Sequence, residues 1–246
     1  MLVFVVPLKS RKVSQSWERV CQLFERSIKS ICNQTSPDFR VIVVCNDKPE
    51  ITFTHPHITY LEVDFPPPNE SSPIVNGDTD KGRKILAGVN YARQLAPSHT
   101  MFVDADDCVS KHLAEFVNQH STSNGWFINK GYKYREGSKF IYLKNQEFHH
   151  LSGSCNIIKY ELNDLPENPE YDRGCGYYKF YIFHKRISSI LAEKGTPIAP
   201  LPFAGAVYVL ENGENLSANK YQPSFNWLNC RILTPATKDE FGLYKL

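Results

Sequence analysis

Three carboxylates stand within four residues at Asp104-Ala105-Asp106-Asp107. Held together they repel, and a divalent cation is a common way to offset that repulsion. Hard oxygen ligands select Mg2+ or Mn2+ over zinc, and both ions readily bridge protein carboxylates to a diphosphate. The competing reading is a solvent-exposed acidic turn that caps the following helix. The preceding run Thr100–Val103 is apolar and of strand length, so it seats the carboxylates on a rigid element and favours the ligand reading. Asp104, Asp106 and Asp107 are therefore the candidate ligands for Mn2+ or Mg2+.

Such a cluster needs a scaffold, and the first half of the chain supplies alternating strands and helices. Leu2–Val6 is a continuous apolar run of strand length. Trp17–Cys32 places Trp17, Val20, Leu23, Phe24, Ile28 and Ile31 at helical spacing. Arg40–Cys45 is a β-branched second strand and Ile58–Val63 a weaker third. The proline-rich stretch Phe65–Pro73 reads as loop. Lys84–Leu95 and Lys111–Gln119 read as helices on either side of Thr100–Val103. Continuous apolar strands separated by helices predict an α/β fold with a mixed, mainly parallel central sheet covered on both faces. Ligands gather at the carboxyl ends of such strands. Here those ends carry Pro7-Leu8-Lys9-Ser10, Cys45-Asn46-Asp47 and the aspartate cluster.

The second half reads differently. Trp126–Tyr134 and Lys139–Leu143 look like strands joined by a turn, and Ala206–Leu210 is a late strand. Tyr177–Glu193 is predicted as one helix closed by Gly195, which puts Tyr177, Tyr181 and His184 on one face. No flexible linker separates the halves. The expectation is a single domain over 1–246, with a nucleotide-binding half at 1–110 and an acceptor-side half at 111–246.

The phrases "FVVPLKS", "SIKSICNQTSPDFRVIVVCND" and "MFVDADDCVS" resemble family-2-type glycosyltransferases of the GT-A (Rossmann-like) fold. Order, spacing and strand context agree over roughly residues 2–110. The resemblance implies an inverting, metal-dependent transfer of a sugar from a nucleotide-diphosphate sugar, a UDP-sugar first. It implies that Pro7, Lys9 and Ser10 lie beside the nucleoside. Asn46 and Asp47 fall where the family carries an acidic pair, with Cys45 departing from its usual Asp. Asp104, Ala105 and Asp106 match the D-x-D motif near the ribose, metal and diphosphate, and Asp107 is the extra acid beside it. Lys84, within "DKGRK", resembles a basic residue near the donor, the alternative being a solvated helix face.

An inverting transfer needs a base for the acceptor hydroxyl. In the family this is an Asp or Glu near a helix start in the second half, and "EYDRGCGYYKFYIFHKRI" is the matching region. Asp172 is the first candidate, with an N-terminal capping role as its alternative. His184 is the second, with a structural histidine as its alternative. The small residues Gly153-Ser154-Cys155-Asn156 read as a close turn. "ENGEN" at 211–215 resembles a loop where some relatives carry a metal-binding His; here Asn215 is a weak substitute. The acceptor, whether glycan, lipid-linked sugar or protein, is not legible.

Two other classes compete with this reading. A haloacid-dehalogenase-like phosphatase places its nucleophilic Asp after the first strand, which here ends in Pro-Leu-Lys-Ser. A glycosyltransferase-like binding protein without turnover is kept by the missing acidic pairs. Composition narrows the partners. With 28 Lys+Arg against 26 Asp+Glu the net charge is +2, which argues against a nucleic-acid partner. No apolar run reaches the ~20 residues of a membrane helix. Seven cysteines without a C-x-x-C pair predict free thiols. Leu2–Val6 is too short for a signal-peptide core. A cytoplasmic location is expected, with Lys9, Arg11 and Lys12 available for a peripheral position at the inner face of the membrane.

Overall fold

The computed structural model describes residues 1–66, 73–210, 212–214 and 227–244. Its strands and helices follow in this order: β1 (Leu2–Pro7), α1 (Trp17–Cys32), β2 (Phe39–Cys45), β3 (Ile58–Glu62), α2 (Pro73–Ala92), β4 (His99–Phe102), β5 (Cys108–Val109), α3 (Leu113–Gln119) and β6 (Gly125–Phe127). The remainder are β7 (Lys130–Arg135), β8 (Phe140–Lys144), β9 (Asn156–Lys159), α4 (Lys179–Ile182), α5 (Ile187–Glu193), β10 (Ala199–Pro200), β11 (Ala204–Leu210), β12 (Cys230–Ile232) and α6 (Pro235–Phe241).

A seven-stranded sheet runs β10-β6-β9-β4-β1-β2-β3. Strands β3, β2, β1 and β4 are parallel, while β9 is antiparallel to both β4 and β6. Both faces of β1 are covered. Leu2, Phe4 and Val6 join one apolar cluster with Val20, Phe24, Ile28 and Ile31 of α1. Val3 and Val5 join the other with Ile85, Leu86 and Val89 of α2. Each such side chain contributes roughly 1.5–3 kcal/mol on burial, which is why these runs need no polar alternation. The mixed, mainly parallel sheet flanked by helices that the GT-A resemblance implies is the observed fold.

A second sheet runs β12-β8-β7-β11-β5. It shares a core with the first, because Val109 and Ala206 pack in the same cluster as β1 and α1. The expected division at residue 110 does not coincide with the division between sheets, since β6, β9 and β10 complete the first sheet.

Three elements differ from expectation. Helix α2 starts at Pro73, eleven residues before the predicted Lys84; Asn76, Gly77, Asp78 and Thr79 are weak helix formers and mask its first turns. Residues 67–72 of the expected loop lie outside the described residues. The run Trp126–Tyr134 is two strands, β6 and β7, that belong to different sheets. Finally, the helix predicted over Tyr177–Glu193 is broken. Phe183, at φ −90° and ψ 59°, separates α4 from a 3-10 turn at His184–Arg186 that leads into α5. Tyr177, Tyr181 and His184 therefore do not share a helical face. The predicted close holds: Gly195, at φ 78°, follows the last residue of α5's cap.

Candidate functional site

The carboxyl edge of the first sheet gathers the expected loops. At the end of β1, Ser10 donates its hydroxyl to Asp47 Oδ2 at 3.0 Å, and the Arg11 amide donates to the same oxygen at 2.9 Å. Asp47, after β2, thus fixes the loop after β1. Asn46 donates through Nδ2 to the carbonyls of Val63 (3.1 Å) and Phe65 (3.0 Å), which fixes the exit of β3. Pro7 and Ser10 are buried. Lys9 pairs with Glu214 at 2.7 Å, and Glu214 Oε1 also accepts from the Ser16 amide at the start of α1 at 2.7 Å.

The four residues after β4 divide their labour. Asp107 is fully buried: Oδ2 accepts from Ser152 (2.6 Å) and Ser154 (2.8 Å), and Oδ1 from the Val209 amide (3.2 Å). Burial, then the Asp106 and Asp104 charges, lift its pKa well above the carboxylate range. Through these bonds the Asp107 side chain joins the segment after β4 to the 152–154 loop and β11. Asp106 accepts from Asn212 Nδ2 at 2.6 Å. Burial and the neighbouring Asp104 push its pKa up to about 6. Asp104 is one-quarter exposed and its backbone amide donates to Ser154 Oγ at 2.9 Å. Ala105 packs against the α1-side core.

A cation completes the group. Lys81, in α2, forms an ion pair with Asp104 Oδ1. Burial works against its charge, but Asp104, Asp107 and Asp106 outweigh burial and hold its pKa above the ordinary lysine value. Lys84, one turn further along α2, is buried and does not lie on a solvated helix face. Its side chain is 1% exposed, and its ammonium donates to Asp80 Oδ2 (2.7 Å) and the Leu8 carbonyl (2.8 Å). It ties α2 to the end of β1. Helix periodicity cannot separate the two lysines; packing against the Leu8 carbonyl decides between them.

Gly153 lies against the Lys81–Asp104 pair. A Cβ there would come within 2.7 Å of Asp104 Oδ2 and 2.8 Å of Lys81 Nζ. The small residues read as a turn are thus pressed onto the aspartate motif. Asn156, at the start of β9, donates to the His184 carbonyl at 3.0 Å and so anchors the break between α4 and α5 beside the same loop. His184 Nε2 is buried without a hydrogen-bond partner. Burial and the Lys81 charge, opposed by Asp104, lower the imidazole to about 4. The ring is neutral at pH 7 and lies in the field of Lys81 and Asp104.

Asp172 is exposed. Among the described residues no hydrogen bond or ion pair connects it to Asp104, Asp106, Lys81 or His184, so the structure does not bring it into the group. Asp78 was missed by sequence reading; burial and the Asp104 charge raise its carboxyl, against Lys81. Lys81, Ser152 and Asn212 were missed as well. Within "ENGEN" it is Asn212 that reaches the motif, while Asn215 lies outside the described residues.

Among the described residues no group of three or more His, Cys, Asp or Glu side chains is placed to hold a metal ion. Two carboxylates, Asp104 and Asp106, stand two residues apart after β4. That pair fits Mg2+ or Mn2+, which take one or two protein carboxylates with the substrate's phosphates. All seven cysteines are unpaired, and no helix among the described residues is long and apolar enough to cross a membrane.

No protein-family model matches the chain, and no curated protein matches it. Solved structures do. TarS 1–349 from S. aureus aligns with a TM-score of 0.47 at 12% identity, over 85% of this chain and 60% of that one. The same protein in complex with UDP gives 0.48 at 13% identity and the same coverage. The bifunctional IspDF from Campylobacter jejuni gives 0.39 at 10% identity, over 88% of this chain and 52% of that one. The chain thus spans about three fifths of TarS 1–349.

Proposed function

We propose that the chain is a glycosyltransferase that moves a sugar from a nucleotide-diphosphate sugar, a UDP-sugar first, to an acceptor hydroxyl with inversion. One observation carries this reading: Asp104, Asp106, Lys81 and the buried, unpartnered Nε2 of His184 gather at the carboxyl edge of a parallel sheet, where α/β folds bind nucleotides. The ends of β1 and β2, locked by Ser10 and Asp47, form the wall for the nucleoside, with Lys9 and Asn46 beside it.

Asp104 and Asp106 would hold Mn2+ or Mg2+, which when bound stabilises charge on the leaving diphosphate. Lys81 adds a fixed positive charge beside that diphosphate and keeps Asp106 ionised. As the acceptor oxygen bonds to the anomeric carbon and the bond to the diphosphate breaks, His184 Nε2 takes the hydroxyl proton. A pKa of about 4 makes this imidazole as basic as an ordinary glutamate, so it can stand in for the carboxylate base that the resemblance implies. Asp172 is the second candidate for that role. Seven unpaired cysteines support a reducing, cytoplasmic location, with the basic loop after β1 available for peripheral contact with the inner face of the membrane.

The test is transfer and donor hydrolysis by purified protein with a panel of sugar nucleotides and Mn2+ or Mg2+. Asp104→Ala and Asp106→Ala are expected to abolish both. Full activity in either variant would overturn the mechanism.

A further inference from the structure

The segment after β11 reaches back to the aspartate motif. Asn212 is 2% exposed, and its carboxamide spans two partners. Nδ2 donates to Asp106 Oδ2 at 2.6 Å, and Oδ1 accepts from the Glu214 amide at 3.0 Å. The second bond settles which way the carboxamide faces. A backbone N–H needs an acceptor, so the oxygen lies toward Glu214 and the NH2 toward the carboxylate. Gly213, at φ 89°, makes the reversal that returns the Glu214 amide to Asn212.

This frame is held without the help of Asp106. The Asn212 carbonyl accepts from Arg19 Nε of α1 at 3.1 Å. Arg19 also lies 3.9 Å from Glu136, which pairs with the buried Arg26 at 2.6 Å. The Glu214 side chain is nearly buried, and its carboxylate accepts from Lys9 Nζ (2.7 Å) and from the Ser16 (2.7 Å) and Gln15 (3.3 Å) amides. Helix α1 and the loop after β1 therefore set where the Asn212 amide points.

The consequence falls on Asp106. A carboxylate turns about two side-chain bonds, and a fixed donor on one of its oxygens restricts both. Outer hydrogen bonds of this kind orient carboxylates that ligate metals. The NH2 group donates only, so it acts on the carboxylate and not on a cation.

We propose that Asn212 is a positioning residue: it holds the Asp106 carboxylate in the orientation that binds a divalent cation. This rests on the metal-dependent glycosyltransferase reading. The experiment compares Mn2+ binding, read by electron paramagnetic resonance with UDP present, in wild type and Asn212→Leu. That variant keeps the size of the side chain and removes the donor. Mn2+ affinity is expected to fall roughly 10–100-fold, the usual effect of losing an outer partner. Arg19→Gln frees the Asn212 carbonyl and leaves its side chain intact. A smaller loss in the same direction is expected, and this variant carries the test if Asn212→Leu does not fold.

A second readout needs no cation. In metal-free wild type the Asn212 side-chain amide protons should resonate downfield of free asparagine, and in Asp106→Ala they should return toward that value.

The proposal is overturned if Mn2+ affinity is unchanged while the melting temperature falls, because the role is then structural only. Tighter Mn2+ binding in Asn212→Leu would overturn it too, by showing that the amide covers the ligating oxygen. So would an amide resonance that ignores Asp106→Ala. A wild type that binds no Mn2+ would defeat the metal-dependent reading and the proposal with it, whereas unchanged binding in the variants would defeat the proposal alone.

Discussion

Lys81 and Asp104 form an ion pair between α2 and the end of β4, and that pair is the only positive charge among the described residues bonded directly to the aspartate motif. Without it, Asp104 and Asp106 face each other with no internal counter-charge. In Lys81→Met the Asp106 pKa, now about 6, is expected to climb further, by on the order of one unit. Carboxyl NMR titration reads this directly. UDP affinity is expected to drop at least tenfold in the same variant, and an unchanged affinity would show that Lys81 does not face the diphosphate.

Gly153→Ala probes the same pair by volume. The added methyl meets Asp104 Oδ2 and Lys81 Nζ at 2.7 and 2.8 Å. Relieving that overlap should cost about 1–3 kcal/mol, the usual range for overpacking. A lowered melting temperature together with weaker UDP binding is the expected result. Wild-type behaviour in both measurements would show that the 152–154 loop is not seated on the motif.

Asp107 and Asp104 should separate stability from activity. Asp107→Ala leaves Ser152, Ser154 and the Val209 amide without their buried acceptor, a loss of roughly 2–5 kcal/mol. Asp104→Ala removes a group that is one-quarter exposed and should change the denaturation midpoint little while abolishing transfer. Equal destabilisation by both would remove the distinction between a joining and a reacting carboxylate.

Two groups oppose each other in the pH dependence of stability. Asp106 rises from 3.8 to about 6 on folding, so the folded state binds the extra proton and stability falls as pH rises through that window. His184 drops from 6.5 to about 4, so the unfolded state binds the extra proton and stability rises with pH over nearly the same range. In metal-free protein the two contributions are expected to oppose each other. Relative to wild type, the melting temperature should rise more between pH 4 and 6 in Asp106→Asn and rise less in His184→Gln. Parallel profiles for both variants would contradict the assignment.

Candidate bases are separated by kinetics. His184→Gln is expected to lower kcat by 10²–10⁴-fold, the usual worth of a general base, with UDP affinity retained. Asp172→Asn should leave kcat and KM unchanged, since the residue is exposed and outside the group. The reverse pattern would make Asp172 the base.

Sequence reading succeeded where one physical rule acted alone. Strand β1 and helix α1 were legible because Leu2–Val6 is buried on both faces and Trp17–Cys32 repeats at helical spacing. It failed where tertiary packing chose between equivalent local options. Lys81 and Lys84 sit one helical turn apart, and the Leu8 carbonyl captures one of them. The break at Phe183 carries no Gly or Pro, so nothing local announces it; it is held by Asn156 from another element. The three aspartates look alike in sequence, and only the serines of the 152–154 loop single out Asp107. Trp126–Tyr134 keeps its aromatic alternation while the chain passes from one sheet to the other.

The interleaving of the first sheet has a consequence for how the chain is made. Strand β4, which delivers the aspartates, gains its second neighbour only when β9 pairs with it, and β9 in turn is flanked by β6, whose far edge is covered by β10. Residues 1–110 emerging from a ribosome therefore present β4 as an open edge, free to pair with another chain. That edge stays open until residue 159 has been synthesised, and the sheet is not finished until residue 200. A chain arrested between those points would hold Asp104 and Asp106 on an unguarded strand.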